Sequence, residues 1–437
     1  MRAIIGLIFS VFMFQFVLSC QGQADTIKIL SYNTLNYDDY DPSCPDNVNY
    51  KKNKYLREIL KYADPDIVGL VKMNLAPDFV NDSIPAFVLD SVCKGCWSHG
   101  VLSSHSGYSK CNMLYFKKDK FTLYSTKTIY SADGSISDIN LHQLYYNDPN
   151  LATTKDTIWL NIILVHDLSG SSSAPERATE IQGAMAWLDA HVHKLTNYIF
   201  MGDFNVTSSS EGCFQAMINP SNKNIRFNEP TGMLGSWSSS PTKYAKYLTQ
   251  STRTTALPDC GSSGGMNDWL DHIMCSDFIM NGTDAFTYVP NSFKVIGQDG
   301  NHAKEALIDA PTNTSAPANI INDIYHMSNH MPISLQLALN PTHRYVGIDN
   351  STKNNGWEDA AIQYYNNNLH LSLQNANASG NYSLGIYDGL GRQMMRFTVS
   401  NLDGESSFDI SSLPKGLYII NLQGGTRIIY REKIVKM

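Results

Sequence analysis

The chain has 437 residues, which is more than one typical domain needs, and 43% of them are hydrophobic, 11% aromatic and 17% charged. No long biased tract follows the N-terminus, so this globular composition excludes a wholly disordered chain. The net charge of −7 excludes a broad basic surface for sequence-independent binding of nucleic acid. A nuclease stays compatible with this charge, because a local cationic groove can exist on an acidic protein.

Residues 1–20 have the layout of an export signal, since one Arg precedes a continuous apolar run that ends in small and polar residues. A membrane anchor is the alternative. Cleavage has two interpretations, a lipoprotein signal ending at Cys20 and ordinary cleavage before Asp25, and we favour the second. Removing residues 1–24 takes away one Arg and no acid, so the net charge changes from −7 to −8. The mature protein is then expected to have no transmembrane domain.

Seven of the eight cysteines follow Cys20, and they are Cys44, Cys93, Cys96, Cys111, Cys213, Cys260 and Cys275. Export favours one or more disulfides, although an odd number leaves at least one thiol unpaired. Cys93 and Cys96 form a CxxC followed by His99, a pattern compatible with metal or redox chemistry. No second CxxC accompanies it, so a structural disulfide or inert thiols are the favoured interpretation.

The elements after the signal begin as strand, helix, strand. "TIKILSYNTLNY" alternates like a half-buried strand, "NKYLREILKYADPD" has helical spacing up to Pro65, and "DIVGLVKMN" reads as a buried strand. Residues 175–195 predict a second amphipathic helix, and residues 206–265 predict long surface loops. Further strands are predicted in "CNMLYFKKDKF", "FTLYSTKTIY", "IWLNIILVHDLSG", "NYIFMGDFNV", "DWLDHIMCSDFIM" and "HMPISLQLAL". Strands joined partly by hairpins favour an α/β (α+β) sandwich with largely antiparallel sheets over a parallel doubly wound sheet.

The last third of the chain changes character. Residues 341–375 are polar and Asn-rich, so we predict a linker there. Residues 376–437 predict a small all-β sandwich domain, with turns at "YDGLGRQ", "LDGES" and "LQGGT".

Polar side chains stand at the ends of several apolar strands, where a rigid scaffold would deliver them to one rim. Each has an ordinary explanation when taken singly, because Asn and Asp often form turns and a lone His is usually structural. The residues are Asn33, His166, Asp203, Asn205, Asp271 and His330.

Together and in this order, these stretches resemble the endonuclease/exonuclease/phosphatase superfamily over residues 26–340. "GDFN" is the most specific part, and "PDIVGL", "NHMPISLQL" and the Asn33 strand support it. The resemblance implies a four-layered α/β/β/α sandwich with its site at one edge. It also implies hydrolysis of a phosphate ester or nucleic acid with Mg²⁺ or Mn²⁺ if the protein is active, and possible independence from any cofactor if it is not.

The resemblance also implies roles for single residues. Asn33 matches the amide near the metal, and Asp203 would orient or deprotonate the attacking water. Asn205 would hold the phosphate, and His166 would donate to a phosphate oxygen. These roles meet the general needs of phosphate-ester hydrolysis, which are charge neutralisation and an aligned water.

The same resemblance implies an Asp–His pair. His330 matches the histidine beside the transition-state phosphate, and Asp271 matches the carboxylate that holds its imidazole. Such a pair favours an imidazolium that stabilises phosphoryl charge.

Two positions depart from the family pattern. Val71 and Lys72 stand where the family has Gln-Glu, and a protonated lysine has no lone pair with which to bind a metal. Asn329 stands where the family has the Asp of its "SDH" ending, and it offers one neutral oxygen as a weak metal ligand. Glu to Lys adds two positive charges and Asp to Asn adds one, so the site is three charges more positive.

Three interpretations follow for Lys72. The first is a degenerate enzyme that binds a phosphate-bearing or other ligand without turnover. The second is a hydrolase, a nuclease or phosphodiesterase, in which the Lys72 ammonium neutralises phosphate charge directly. The third is a displaced metal site or a false match at this strand, with Lys72 a solvated strand-end lysine as the plain alternative.

The C-terminal segment resembles the sorting domain of type IX secretion cargo in Bacteroidetes. "IYDGLGRQ", "FDISSLPKGLYIINL" and the basic "REKIVKM" carry this resemblance. It implies contact with the type IX machinery and a secreted or outer-membrane cell-surface location. A small carbohydrate-binding or adhesive β-sandwich is the alternative.

Overall fold

A computed structural model describes residues 25–103, 108–131, 137–154, 157–192, 194–341, 343, 359–365, 368–374, 382–399, 404–424 and 427–436. The chain divides into two compact units, residues 1–343 and 344–437. The predicted signal in residues 1–24, with its two cleavage interpretations, lies outside the described residues.

The first unit contains thirteen strands among its described residues. They are β1 (Asp25–Tyr37), β2 (Ile67–Asn74), β3 (Trp97–His99), β4 (Lys110–Lys117), β5 (Phe121–Tyr130), β6 (Ile139–Tyr146), β7 (Trp159–His166), β8 (Tyr198–Asp203), β9 (Phe227–Asn228), β10 (Asp271–Ser276), β11 (Phe286–Tyr288), β12 (Lys294–Val295) and β13 (Ile333–Leu339).

Its α-helices are α1 (Asn49–Ala63), α2 (Asp90–Val92), α3 (Leu151–Thr154), α4 (Ala174–His191), α5 (Gly212–Ile218), α6 (Asp277–Asn281) and α7 (Ala318–Met327). Helix α1 ends before Pro65, as predicted, with Asp64 in the left-handed conformation and its N–H donating to Leu60 O. Helix α1 packs against α7, and α4 packs against α5 and β5.

The strands form two mixed sheets. The first has the order β11-β13-β1-β2-β4-β3, with β12 paired to β13, and the second has the order β5-β6-β7-β8-β10-β9. Only the pairs β1–β2 and β7–β8 are parallel among these described strands. The predicted α/β sandwich with largely antiparallel sheets is therefore confirmed, and additional small β sheets follow it.

The two sheets meet in a continuous apolar core of buried side chains. The sheets come close at Gly69 in β2, where a Cβ atom would lie 2.6 Å from Leu164 and 2.7 Å from Met201 on the opposite sheet. A side chain at this position would require the flexible ends of Leu164 and Met201 to move, so the small size of glycine suits this packing.

Residues 206–265 differ from the prediction of long surface loops. They contain helix α5, and Trp237, Leu248 and Arg253 within them are fully buried. The burial of these side chains could not be predicted from the sequence, because this Ser- and Gly-rich segment has no periodic pattern of apolar residues. Arg253 pairs with the buried Asp259, so this segment forms part of the protein interior near the site.

Two disulfides are present among the described residues. Cys44 pairs with Cys260 across 216 positions, and Cys93 pairs with Cys96, so the CxxC is a disulfide in this structure. Cys111, Cys213 and Cys275 are buried free thiols.

The second unit is all-β in its described part. A three-stranded sheet contains β14 (Asp359–Tyr365), β15 (Asn368–Gln374) and β18 (Gly404–Asp409), and a four-stranded sheet contains β16 (Tyr382–Asp388), β17 (Gln393–Val399), β19 (Gly416–Gly424) and β20 (Arg427–Lys436). Leu369, Leu384 and Ile420 are central to its own apolar core. Strands β14 and β15 lie within the range predicted as a linker.

Candidate functional site

The sheet register brings three predicted site residues side by side at one end of the second sheet. His166, at the end of β7, aligns with Asp203 in β8, and Asp203 aligns with Asp271 at the start of β10. Parallel pairing of β7 and β8 is the reason that His166 and Asp203 reach the same edge. Among the described residues, Asp203, Asp271 and His330 form a group whose ligand atoms lie within 4.8 Å of one another and could hold a metal ion.

Gly202 makes the approach of β8 to β7 possible. Its φ of 141° lies outside the range that other residues readily adopt, and a Cβ there would lie 1.9 Å from Val165 O. The glycine of "GDFN" therefore serves the backbone, and it fixes the position of the following Asp203.

Asn33 of the first sheet and His330, which lies three residues before β13, face the Asp203 carboxylate. Asn33 Nδ2 donates to Asp203 Oδ2 at 2.7 Å and lies 3.3 Å from His330 Nε2. Ser328 Oγ accepts a hydrogen bond from His330 N at 3.0 Å and donates to Asn33 O at 2.7 Å, which ties the His330 segment to β1. Asn33 Oδ1 accepts the N–H of Leu35, so the amide presents its donor side to the site.

His330 and Asp271 form a buried pair. Nδ1 of His330 donates to Asp271 Oδ2 at 2.8 Å, and His330 Nε2 lies 3.7 Å from Asp203 Oδ2. Burial alone lowers the pKa of His330, but the Asp271 and Asp203 carboxylates outweigh it and the net pKa is raised. The pair is thus arranged to favour an imidazolium.

The pKa values of Asp203 and His166 are shifted in opposite directions. Burial raises the pKa of Asp203 to about 6, although His330 and Lys72 oppose this rise. Burial, together with Lys72 and His330, lowers the pKa of His166 well below its usual range. His166 is therefore neutral at pH 7, and its Nδ1 is buried without a hydrogen-bond partner in the part of the chain that the structure describes.

Asn205 lies at the same edge but uses its amide internally. Its backbone N–H donates to Asp203 Oδ1 at 2.9 Å, and its Nδ2 donates to Asp167 O at 2.8 Å. With φ at 50°, Asn205 occupies the left-handed region that Asn tolerates better than most residues. One N–H of its amide thus ties the end of β8 to the residue that follows β7.

Lys72 lies in a β-bulge at the end of β2. The pairing of β2 with β4 shifts between Leu70 and Met73, and Lys72 has a φ of 61°. Bulges often redirect a side chain, and a left-handed lysine carries a backbone cost of order 1–3 kcal/mol. The half-buried side chain interacts electrostatically with Asp203 and Asp271, so it belongs to the site and not to bulk solvent.

The charge of Lys72 remains unneutralised by direct contact. Within the described ranges, no carboxylate lies within 4.0 Å of its Nζ. Burial lowers the pKa of Lys72, and the Asp203 carboxylate partly offsets this effect. The Lys72 ammonium therefore interacts electrostatically with the carboxylates of the site without forming a salt bridge to a described residue.

Asn329 lies next to His330 but faces a different neighbour. A Cβ on Gly261 would lie 3.0 Å from the Asn329 Cβ, so the Asn329 side chain packs under the Gly261 loop. Its buried Oδ1 has no hydrogen-bond partner among the described residues. The Asn329 oxygen, a predicted weak metal ligand, thus has no partner, whereas the Asn33 oxygen already accepts one hydrogen bond.

One contact at the site had no sequence signal. Gln250 Nε2 lies 2.6 Å from His330 Nε2, and isolated bridges join Gln250 to both His330 and Asp268. Gln250 lies in a Ser- and Thr-rich segment that has no recognisable motif. Its contact with His330 is therefore apparent only from the tertiary structure.

Residues 365–437 match the secretion system C-terminal sorting domain family. The tail is a secretion sorting domain. This sorting domain indicates export through type IX secretion, as its sequence implied. Among the described residues, no helix has the length and apolar character needed to cross a membrane.

Similar solved structures include several endonuclease/exonuclease/phosphatase proteins. A family protein from Bacteroides thetaiotaomicron is 14% identical, with a TM-score of 0.41, over 73% of this chain and 99% of that one. The mannosyl-6-phosphatase Bt3783 of the same organism is 13% identical, with a TM-score of 0.43, over 72% and 100%. A humanized D. rerio TDP2 is 13% identical, with a TM-score of 0.43, over 71% and 98%. No curated protein matches the chain in sequence.

Proposed function

We propose that residues 25–340 form an endonuclease/exonuclease/phosphatase-type domain that binds a phosphate ester without efficient metal-dependent turnover. Residues 341–437 would then serve export to the medium or the outer-membrane surface. The observation that carries the proposal is the position of Lys72, whose charge acts on Asp203 and Asp271 from the β2 bulge.

The donor set supports this proposal because it fits a divalent cation poorly. Mg²⁺ and Mn²⁺ prefer several oxygen ligands, and they are repelled by a neighbouring ammonium. Asp203 and Asp271 supply carboxylates, but Asn33 turns its N–H toward Asp203 and Lys72 adds a positive charge. The ligand atoms of Asp203, Asp271 and His330 lie close enough together to hold a metal ion, but the nearby Lys72 ammonium opposes a divalent cation.

The same surroundings suit an anionic oxygen. Lys72 supplies a cation, His330 supplies a ring held by Asp271, and the Asn33 amide supplies N–H groups. Hydrogen bonds from charged donors to phosphoryl oxygens are about twice as strong as neutral ones. Because the site is largely buried, these interactions are less screened than on a surface.

Export restricts the ligand to molecules that are present outside the cell. A domain carried out of the cell meets phosphate esters and nucleic acid fragments of the surroundings. The net charge of −7 argues against tight binding to long nucleic acid through its backbone alone. We therefore propose a small phosphate ester or a short nucleic acid end as the ligand.

Binding of inorganic phosphate and a nucleoside monophosphate tests the proposal. We expect calorimetry to give the same affinity with EDTA and with Mg²⁺, and His330→Ala to weaken binding about tenfold. His191→Ala is the matched control, because His191 is exposed on α4 away from the site. Binding that requires Mg²⁺, or that is unaffected by His330→Ala, would contradict the proposal.

A second candidate is an active hydrolase in which Lys72 neutralises the phosphate. The intact His330–Asp271 pair and the Asp203 carboxylate 3.7 Å from His330 favour it, because they leave a base and an acid at the site. Turnover of nuclease and phosphodiesterase substrates by the wild type in EDTA, lost in both His330→Ala and Lys72→Ala, would select this candidate.

A further inference from the structure

Gln250 covers the ring nitrogen of His330 that a ligand would contact. Nδ1 of His330 is engaged by Asp271 at 2.8 Å, and Nε2 faces Gln250 Nε2 at 2.6 Å. Both nitrogens of the imidazole are therefore occupied by the protein's own side chains. A ligand oxygen can reach Nε2 only if the Gln250 amide leaves it.

The backbone of Gln250 is held from two sides. Gln250 N donates to Asp268 O at 3.0 Å on one side, and Met331 N donates to Thr249 O at 2.8 Å on the other. The strand-like segment thus joins the β10 side of the site to the β13 side. Displacement of the Gln250 amide must come from rotation of its side chain, since the backbone cannot swing away without breaking both links.

The Gln250 side chain is positioned for such rotation. Gln250 is half-buried, whereas His330 beneath it is 2% exposed. A glutamine amide offers both a donor and an acceptor, so it satisfies Nε2 in either protonation state of the ring. The cap is therefore compatible with a resting site of either charge.

We infer that Gln250 is a specificity-determining residue that caps His330 Nε2 and yields only to a charged oxygen. This inference rests on the proposed binding of a phosphate ester at the same site. A neutral hydroxyl or carbonyl forms a bond comparable with that of the Gln250 amide and gains nothing by replacing it. A phosphoryl oxygen forms a stronger, charge-assisted bond and displaces the amide.

Two readouts test the cap and the ligand separately. The first is the carbethoxylation rate of His330 by diethyl pyrocarbonate, followed by peptide mass spectrometry, with exposed His191 as the internal standard. We expect Gln250→Ala to speed modification of His330 at least about fivefold, the equivalent of one neutral hydrogen bond, without changing His191. Gln143→Ala is the matched control, because Gln143 is also half-buried but contacts Ser125 and Asn161 instead of a histidine.

The second readout is the dissociation constant for inorganic phosphate. Gln250→Ala should bind phosphate about fivefold to tenfold more tightly than the wild type, since the Gln250 amide no longer competes for Nε2. Gln250→Glu should bind it at least about tenfold more weakly, because its carboxylate pairs with His330 and repels phosphate.

The outcomes separate the two proposals. An unchanged His330 modification rate in Gln250→Ala overturns the cap, and so does weaker phosphate binding by that variant. Faster modification without phosphate binding by any variant upholds the cap and overturns the proposed phosphate function. Circular dichroism of each variant shows whether the fold is retained, and Gln250→Asn replaces Gln250→Ala if that variant does not fold.

Discussion

The side-chain nitrogen of Asn33 lies 2.7 Å from Oδ2 of Asp203, and this bond links the two sheets at the site. Asn33 belongs to the first sheet and Asp203 to the second. The bond fixes the amide with its N–H toward the carboxylate, while Leu35 N–H occupies its oxygen. The site consequently presents donors where a divalent cation would require oxygen ligands.

Acidic residues at positions 72 and 329, which the family resemblance leads one to expect there, should raise metal affinity. We expect the Lys72→Glu/Asn329→Asp double variant to bind Mn²⁺ at least about tenfold more tightly than the wild type, because one positive charge is removed and two negative charges are added at the site. Titration followed by the electron paramagnetic resonance signal of free Mn²⁺ measures this. Lys118→Glu, a charge reversal at an exposed lysine, controls for net charge. Equal Mn²⁺ affinity in all three proteins would refute the proposed effect of Lys72.

The Asp271 carboxylate should set the pH range of anion binding. The net pKa of His330 is raised by Asp271 and Asp203 against the opposing effect of burial, so phosphate binding should weaken as pH rises through that pKa. Asp271→Asn removes one raising charge, and the loss of binding should move to lower pH. NMR titration of His330 and phosphate calorimetry from pH 5 to 8 measure the shift.

Asp299→Asn is the matched control for Asp271→Asn. Asp299 lies 2.9 Å from a different histidine, His302, outside the cluster of Asp203, Asp271 and His330. A pH profile that moves equally in both variants would show that Asp271 has no specific role.

A buried carboxyl pair should make stability fall as pH rises from about 4 to about 9. Burial and the neighbouring Glu180 raise the pKa of Asp167 from 3.8 to about 9. The folded state therefore binds more protons than the unfolded state between these values, and stability falls as pH rises through that window. Asp167→Asn removes this penalty and keeps the side-chain oxygen that accepts Leu168 N–H.

We expect Asp167→Asn to be more stable than the wild type at pH 8.5 by at least about 1 kcal/mol. At pH 5 its advantage in the free energy of unfolding should be smaller. Urea unfolding at both pH values measures the difference. Asp119→Asn, at an exposed position, should show no such pH dependence. A variant equally stable relative to wild type at both pH values would contradict the protonated state of Asp167.

The two disulfides should contribute very unequally to stability. The Cys44–Cys260 bond closes a loop of 216 positions, and the Cys93–Cys96 bond closes one of 3. Chain entropy in the unfolded state predicts a loss on the order of 5 kcal/mol for Cys44→Ser/Cys260→Ser. Cys93→Ser/Cys96→Ser is the matched control and should lose much less. Guanidinium unfolding of both variants measures the two losses of stability. Equal losses would contradict an entropic origin of the stabilisation by these disulfides.

The Cys44–Cys260 bond also bears on the site. Gly261 packs against Leu35 and Asn329, and Asp46 N donates to Pro258 O in the adjoining loops. Loss of the bond should therefore weaken phosphate binding as well as stability, whereas loss of the Cys93–Cys96 bond should leave binding intact.

The sequence predicted the elements whose apolar period is regular. Strand β1, helix α1 and strand β2 begin and end close to the predicted residues, because alternation and helical spacing reflect which side chains are buried. Strand β6 and helix α7 were not predicted. In β6, Asn140 and His142 face the interior and interrupt the apolar pattern that a buried strand usually shows.

The sequence by itself determined which residue types occupy positions 72, 329, 330 and 271, and the family resemblance of their motifs implied that they belong to one site. The tertiary structure decided how those groups are used. The Asn33 amide faces Asp203 with its nitrogen, Lys72 interacts electrostatically with Asp203 and Asp271 from a bulge, and Gln250 contacts His330. These outcomes depend on hydrogen bonds and backbone conformations between segments up to 297 positions apart, and no local pattern in the chain encodes them.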